Sequence, residues 1–313
     1  MLSRRLLRTK VVKCVYAHIQ SEGGATISAT EKSLGQSIDK AYDLYFHLLS
    51  LMPHLARYAE ERIEIGLNKK LPTYDDLHPN RKFAENSVIA RLACDEGLTS
   101  WCKARKLSWQ GCDELIRSLY NDLLKQPFYQ QYMASAERSF KEDAALVSDI
   151  LMNMLEECEL LESTLEEQSI WWGDDLGYVL TMASRTVLGM RASHEEVKLM
   201  PKFKSDDDLD FAKRLLRDSL AGYERISAII DQSMPNWDIE RVALMDNIIL
   251  VVAVAEAESF ASIPTRVTLN EYIDIAKFYS TDSSCSFING VLDRILSTLT
   301  AEGKIIKSGK GLL

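Results

Sequence analysis

The amino-acid sequence predicts an all-helical protein. Glycine and proline are scarce, with 14 and 7 copies in 313 residues, and both residues disfavour helix interiors. Apolar residues recur at helical spacing, and no segment of the middle third alternates between apolar and polar residues for long enough to predict a strand. With 46% hydrophobic side chains, the chain can bury one sizeable core or two smaller ones, so we expect one or two domains.

The first predicted helix begins with a local excess of positive charge. It places Leu7, Val11 and Val15 on one apolar face and ends at Gly23-Gly24. The first 13 residues hold five arginines and lysines and no acid, whereas the whole chain has a net charge of −9. Any contact with a polyanion is therefore predicted to be local.

The middle of the chain is predicted as a series of shorter helices. Residues 38–64 form one or two helices with a break near Pro53, and the proline-containing stretch 68–80 forms a loop. Further helical segments are predicted at 83–101, 112–124 and 131–165.

The last hundred residues have the strongest helical patterns. Residues 209–230 predict one long amphipathic helix, and residues 239–258 are apolar on most faces, as in a helix surrounded by others. Thr268 and Glu271 have the spacing of a capping box, which predicts that a helix starts there. A last helix is predicted to start after Ser283-Ser284.

Gly290 lies inside this last predicted helix. A glycine in a helix interior costs about 1 kcal/mol relative to alanine. We therefore expect the close approach of either a neighbouring helix or the backbone of a ligand at this position.

Several function classes are disfavoured by the sequence. The six cysteines have neither zinc-site nor disulfide-framework spacing and are predicted to be reduced thiols. There is no phosphate-binding glycine loop and no catalytic constellation, so we expect no enzyme activity, no cofactor and no metal. The longest apolar run, 248–255, is too short for a bilayer and no signal peptide is predicted, which favours a cytoplasmic protein without membrane contact.

The stretch IPTRVTLNEYIDIAKFYSTDSSCSFINGVLDRI, residues 263–295, resembles the C-terminal signature of the NusB family. The shared features are an Ile-Pro, an Asn-Glu and Ala-Lys within one helix, and then Phe-x-Asn-Gly-x-Leu-Asp. WDIERVALMDNIILVVAVAEAE is similar to the family's preceding buried helix, and SRRLLRTKVVKCVYAHIQ to its arginine-rich start. The resemblance covers residues 1–22 and 205–300 and implies a pair of helical bundles.

The resemblance leaves two parts of the chain without a counterpart. Residues 25–204 are predicted to be a helical insertion of unknown role, and residues 301–313 a basic tail. The chain also departs from the family pattern at four positions. Val251 and Ala255 stand where members of the family often have an arginine and an aromatic residue, a difference that affects how a partner would dock. Cys285 and Ser286 stand where a basic pair is common. We expect weaker positive charge near the last two positions.

The resemblance implies a non-catalytic transcription antitermination factor. Such a factor binds the boxA element of ribosomal RNA leader transcripts together with NusE, a small-subunit ribosomal protein, in the RNA polymerase antitermination complex. Carried over by position, the implied RNA-binding residues are Arg4, Arg5, Arg8, Tyr16, Tyr279, Asp282, Ser283, Phe287 and Asn289. These residue types fit single-stranded RNA, which proteins hold by cations at phosphates and by aromatic rings stacked on bases.

The residues also leave a different interpretation open. Tyr16 and Phe287 equally suit a hydrophobic core, and Asn289 suits a helix cap or bridge. The chain would then be a helical scaffold for protein interactions in transcription or ribosome assembly, in which the insertion carries the main contact.

Overall fold

A computed structural model describes residues 1–21, 23–234 and 242–308, with the side chains of Asp282 and Ser283 left out. The all-helical prediction is confirmed, because these residues form fifteen α-helices and no strand apart from an isolated bridge between Leu2 and Phe203. Pro235, Trp237 and Lys310 lie outside the described residues.

The first two helices are α1 (Arg4–Ile19) and α2 (Ile27–Leu67). α2 continues through Pro53, so the predicted break at this residue is wrong. Pro53 lacks the N–H that would bond to the Leu49 carbonyl. The side chains of Leu49, Met52 and Leu55 are nevertheless fully buried, and their packing holds the helix together across the proline.

Contacts divide the chain into two compact units. We call Asp39–Lys202, together with Met1, the middle unit, and Leu2–Ile38 with Phe203–Leu313 the terminal unit. That residues 25–204 are an insertion into the family fold remains a prediction.

The middle unit contains the second part of α2 and eight further described α-helices. A π-helical turn at Ile150–Met154 follows α8 directly and is largely buried. α8 packs against α4, α7 and α10. The helices are α3 (Tyr74–Leu77), α4 (Ser87–Cys94), α5 (Glu96–Arg105), α6 (Asp113–Leu123), α7 (Pro127–Ala134), α8 (Phe140–Asp149), α9 (Glu159–Gln168) and α10 (Leu176–Gly189).

The terminal unit is built around one apolar helix, α13. Every side chain from 248 to 257 is buried, and α13 packs against α1, α11, α12, α14 and α15. The predicted central helix is therefore confirmed over its described part. The helices of this part are α11 (Asp208–Ala221), α12 (Tyr223–Gln232), α13 (Leu244–Ser259), α14 (Thr265–Tyr279) and α15 (Asp282–Ala301).

Three predicted helix limits in this unit are wrong. The last helix, α15, starts at Asp282 and not after Ser283-Ser284. The long helix expected at 209–230 divides at Gly222 into α11 and α12, and a Cβ at Gly222 would lie 3.0 Å from both the Asp218 carbonyl oxygen and the Ile226 side chain. α14 begins one turn before the predicted capping box, after Pro264. Thr268 is consequently inside the helix and fully buried.

Candidate nucleic-acid interface

The arginine-rich start of the chain forms the first turns of α1. The Ser3 hydroxyl caps the helix by accepting a hydrogen bond from the Leu6 N–H at 3.4 Å. Because successive helical residues point about 100° apart, the three arginines enter different surroundings. Arg8 is 4% exposed, whereas the side chains of Arg4 and Arg5 are 39% and 54% exposed.

Arg8 is held by a buried carboxylate. Its Nε lies 2.6 Å from Oε2 of Glu256, and its Nη2 lies 3.0 Å from Oε1. The hydroxyls of Thr268 and Tyr272 also donate to Glu256, at 2.9 and 3.2 Å. Burial opposes the charge of Arg8, but the hydrogen bond to Glu256 raises the pKa of the guanidinium overall. Arg8 therefore anchors α1 to α13 and is covered by the protein.

Arg4 anchors the start of α1 to α11. Its Nε lies 2.9 Å from Oδ1 of Asp208, and its guanidinium carbon lies 4.9 Å from the centre of the Phe211 ring. The Asp208 carboxylate also accepts hydrogen bonds from the backbone N–H groups of Lys204 and Ser205. The exposed part of the Arg4 side chain leaves it partly accessible at the surface.

Arg5 lies at the surface between two acids of α14. Its Nε and Nη2 donate to both oxygens of Glu271, at 3.1 and 3.0 Å, and Nη2 lies 2.9 Å from Asp274. The hydrogen bond to Glu271 is the main reason that the pKa of Arg5 is raised. Arg5 is thus accessible but already paired.

Lys13, a further cation of α1, lies above an aromatic ring of α14. The Lys13 ammonium is 5.1 Å from the centre of the Tyr279 ring, within the range of a cation–π interaction. Tyr279 and Tyr16 are both half-buried, and the Tyr16 hydroxyl accepts from Nε2 of Gln20 at 3.4 Å. Arg5 and Lys13 therefore bring one side of α1 against α14.

The other predicted residues belong to α15, which packs against α13 and α14. Phe287 is half-buried and Asn289 is exposed. The side chains of Asp282 and Ser283 lie outside the described part of the chain. RNA contact by these four residues of α15 remains a prediction.

Gly290 is exposed, and among the described residues no atom lies within 4 Å of the position that a Cβ would take there. The expected close approach of a neighbouring helix is therefore wrong. The alternative expectation, the approach of a ligand backbone, stays a prediction.

Two residues of this surface were not predicted as site residues, namely Lys13 and Phe278. From the sequence, Lys13 is only one of the five cations in the first 13 residues. Phe278 is 83% exposed on the last turn of α14. Helical spacing could have predicted its exposure. The buried residues Thr268, Tyr272 and Ile275 of α14 define one face of the helix, and Tyr279 continues that face. Phe278 precedes Tyr279 and therefore points about 100° away from it.

The described residues lack two other kinds of feature. No helix within 1–21, 23–234 and 242–308 is long and apolar enough to cross a membrane. The same ranges contain no group of three or more His, Cys, Asp or Glu side chains arranged to hold a metal ion.

Comparison with known proteins identifies relatives of this chain. The sequence model of the NusB family matches residues 186–297. Transcription antitermination protein NusB of Salinibacter ruber is 38% identical over 123 residues, which are 39% of this chain and 76% of the relative. The protein of the same name from Listeria monocytogenes is 40% identical over 90 residues, which are 29% of this chain and 70% of the relative.

A third relative is aligned over a smaller share of its own length. Transcription antitermination protein NusB of Chloroherpeton thalassium is 35% identical over 104 residues, or 33% of this chain and 49% of the relative. No solved structure matches the chain. The aligned residues fill a smaller share of this chain than of each relative, so this chain is longer than all three. On the identity and coverage of the Salinibacter and Listeria proteins, this chain belongs to the NusB family, as a long form.

Proposed function

We propose that this chain is a non-catalytic transcription antitermination factor of the RNA polymerase antitermination complex. It binds boxA-type single-stranded RNA together with the ribosomal protein NusE. The relatives named as transcription antitermination proteins support this role. The single structural observation that carries it is the position of Lys13 of α1, 5.1 Å above the Tyr279 ring of α14.

In this proposal the individual residues have different roles. Arg4, Arg5 and Lys13 supply positive charge for phosphates, and Tyr16 and Tyr279 supply rings for bases. Phe287, Asn289, Asp282 and Ser283 extend the surface along α15. Arg8 acts indirectly, because it fixes the position of α1 through Glu256.

The charge balance of this surface favours weak binding to RNA alone. Arg5 is paired with Glu271 and Asp274, so a phosphate must compete with two carboxylates for its guanidinium. Cys285 and Ser286 stand where relatives of the family commonly have cations. We therefore expect NusE to add a substantial share of the affinity.

The experiment is a fluorescence anisotropy titration of labelled boxA RNA, with and without NusE, over a series of salt concentrations. The variant Arg5→Ala with Lys13→Ala should bind at least several-fold more weakly. Its slope of log affinity against log salt should be shallower by about 1.4, since each cation at a single strand contributes about 0.7.

A matched control removes cations from elsewhere in the terminal unit. Arg225 is 56% exposed and pairs with Glu258, so Arg225→Ala with Lys32→Ala changes the net charge equally. The proposal is overturned if the two double variants bind RNA equally well and with the same salt slope.

A second candidate function is favoured by one feature of the middle unit. Between residues 65 and 77, five large apolar side chains are exposed, including Leu71 at 89% and Tyr74 at 75%; the others are Ile65, Leu67 and Leu77. Such a cluster suits a protein-interaction scaffold. Leu71→Ser with Tyr74→Ser would then abolish recruitment to the antitermination complex while leaving RNA binding unchanged.

A further inference from the structure

Phe278 is the most exposed aromatic side chain among the described residues, at 83%. It lies on the last turn of α14, where an apolar ring gains nothing from contact with water. The neighbouring Tyr279 is half-buried under Lys13, so the two consecutive rings have different surroundings.

Phe278 belongs to the side of α14 that holds Arg5. Val267, Glu271, Asp274 and Phe278 follow one another at spacings of four, three and four residues, which places them on one stripe of the helix. Arg5 contacts this stripe through Glu271 and Asp274. Phe278 lies about one turn, or about 5.4 Å, beyond Asp274 along the helix axis.

We propose that Phe278 is a base-stacking residue that receives one unpaired nucleobase of the bound RNA. This inference rests on the proposed function and adds a residue that the family resemblance did not mark. Three cations contact residues close to Phe278 in α14 and can hold the adjoining phosphates. Arg5 contacts Asp274, one turn before Phe278, Lys13 lies over the ring of the next residue, Tyr279, and the preceding residue, Lys277, pairs with Asp274 and is 59% exposed. Proteins that bind single-stranded nucleic acids combine cations for the phosphates with aromatic rings on which the bases stack.

The surroundings favour a nucleobase over an apolar protein segment. A partner helix needs several adjacent apolar contacts at helical spacing. On this stripe of α14 the described residue next to Phe278 is the acid Asp274, and the next exposed apolar side chain is Val267, 43% exposed and about three turns away. A single exposed ring with cations close by can instead stack on one base while the cations contact its phosphates.

The test compares three substitutions at position 278 by titration with fluorescent boxA RNA. Phe278→Ala should weaken binding about 5- to 100-fold, the effect of losing one stacked base. Phe278→Trp should bind at least as tightly as the natural chain, and the added indole fluorescence should be quenched by RNA. Phe278→Leu keeps the apolar bulk but lacks the flat ring, so its affinity should be close to that of Phe278→Ala.

The matched control is Tyr74→Ala, which removes an equally exposed ring from the middle unit and should leave RNA affinity unchanged. If the natural chain does not bind boxA RNA with or without NusE, the proposed function and this inference both fail. If the natural chain binds and Phe278→Ala binds equally well, only this inference fails. Binding by Phe278→Leu at the natural affinity, or a loss confined to titrations that contain NusE, also overturns base stacking.

Discussion

The guanidinium of Arg8 and the carboxylate of Glu256 form a fully buried ion pair with two hydrogen bonds, at 2.6 and 3.0 Å. This pair divides the arginine-rich start of the chain into two classes. Arg8 holds helix α1 in place, and Arg4 and Arg5 remain partly accessible. The two classes should respond differently to mutation.

Arg8→Ala should destabilise the terminal unit by about 3–5 kcal/mol, because it leaves the Glu256 carboxylate buried without its charged partner. Arg5→Ala should change the free energy of unfolding by less than about 1 kcal/mol, since its ion pairs are exposed to solvent. Urea unfolding followed by circular dichroism measures both values. A cost below about 1 kcal/mol for Arg8→Ala would show that Arg8 does not anchor α1.

Neutralising the acids around Arg5 should strengthen RNA binding. Glu271→Gln with Asp274→Asn removes the two carboxylates that pair with Arg5. The same carboxylates also contact Arg8, at 3.4 Å, and Lys277, at 2.8 Å, so these two cations lose a charged partner as well. We expect boxA RNA to bind several-fold more tightly, because a phosphate no longer competes with two carboxylates for Arg5, with a salt slope at least as steep as that of the natural chain.

The matched control for this prediction is Glu258→Gln with Glu31→Gln, which also removes two negative charges and takes the partners from Arg225 and Arg217 without altering the α1 and α14 surface. It should leave the affinity for RNA unchanged. Weaker binding by Glu271→Gln with Asp274→Asn would mean that these acids position Arg5 for RNA.

The sequence pattern predicted the all-helical fold and its central helix, but not all the helix limits and not the tertiary partners of the residues. The apolar residues of α13 predicted a surrounded helix because burial on all faces leaves a direct trace in the sequence. Arg8 and Arg5 belong to one motif, yet Glu256, the partner that buries Arg8, lies 248 residues away. Thr268 and Glu271 have capping-box spacing, but the Thr268 hydroxyl donates to Glu256 inside the fold. Local spacing does not encode such distant contacts.

Gly290→Ala should stabilise the protein by about 0.5–1 kcal/mol, because alanine loses less backbone entropy in a helix and no described residue lies within 4 Å of the added Cβ. If a ligand backbone approaches this position, the same change weakens RNA binding. Gly222→Ala is the control, and it should give no gain, since its Cβ would be 3.0 Å from neighbouring atoms. Thermal unfolding with and without boxA RNA measures these effects, and destabilisation by Gly290→Ala would contradict the expected gain.

The stability of the middle unit should fall as the pH falls from about 6.5 to about 4, because of His47. Its ring is fully buried and stacks on Trp109 with 3.8 Å between ring centres. Nε2 donates to Oε1 of Gln168 at 2.8 Å, and Nδ1 has no hydrogen-bond partner in the described part of the chain. Burial lowers the pKa of His47 from 6.5 to about 4.

The direction follows from which state binds the proton first. The unfolded chain, with the ordinary histidine pKa, is protonated before the folded chain, so stability is complete above pH 6.5 and is lost progressively toward pH 4. The shift corresponds to about 3 kcal/mol. Burial also lowers the pKa of His54, which acts in the same direction.

Urea unfolding of the full chain between pH 4 and 7 tests this prediction, with the variant His47→Gln as the comparison. The variant cannot gain the proton, so its stability should vary less with pH over this range than that of the natural chain. His78 is exposed in the same unit, and His78→Gln should keep the natural dependence. An equally steep dependence in His47→Gln and in the natural chain would assign the effect to other groups.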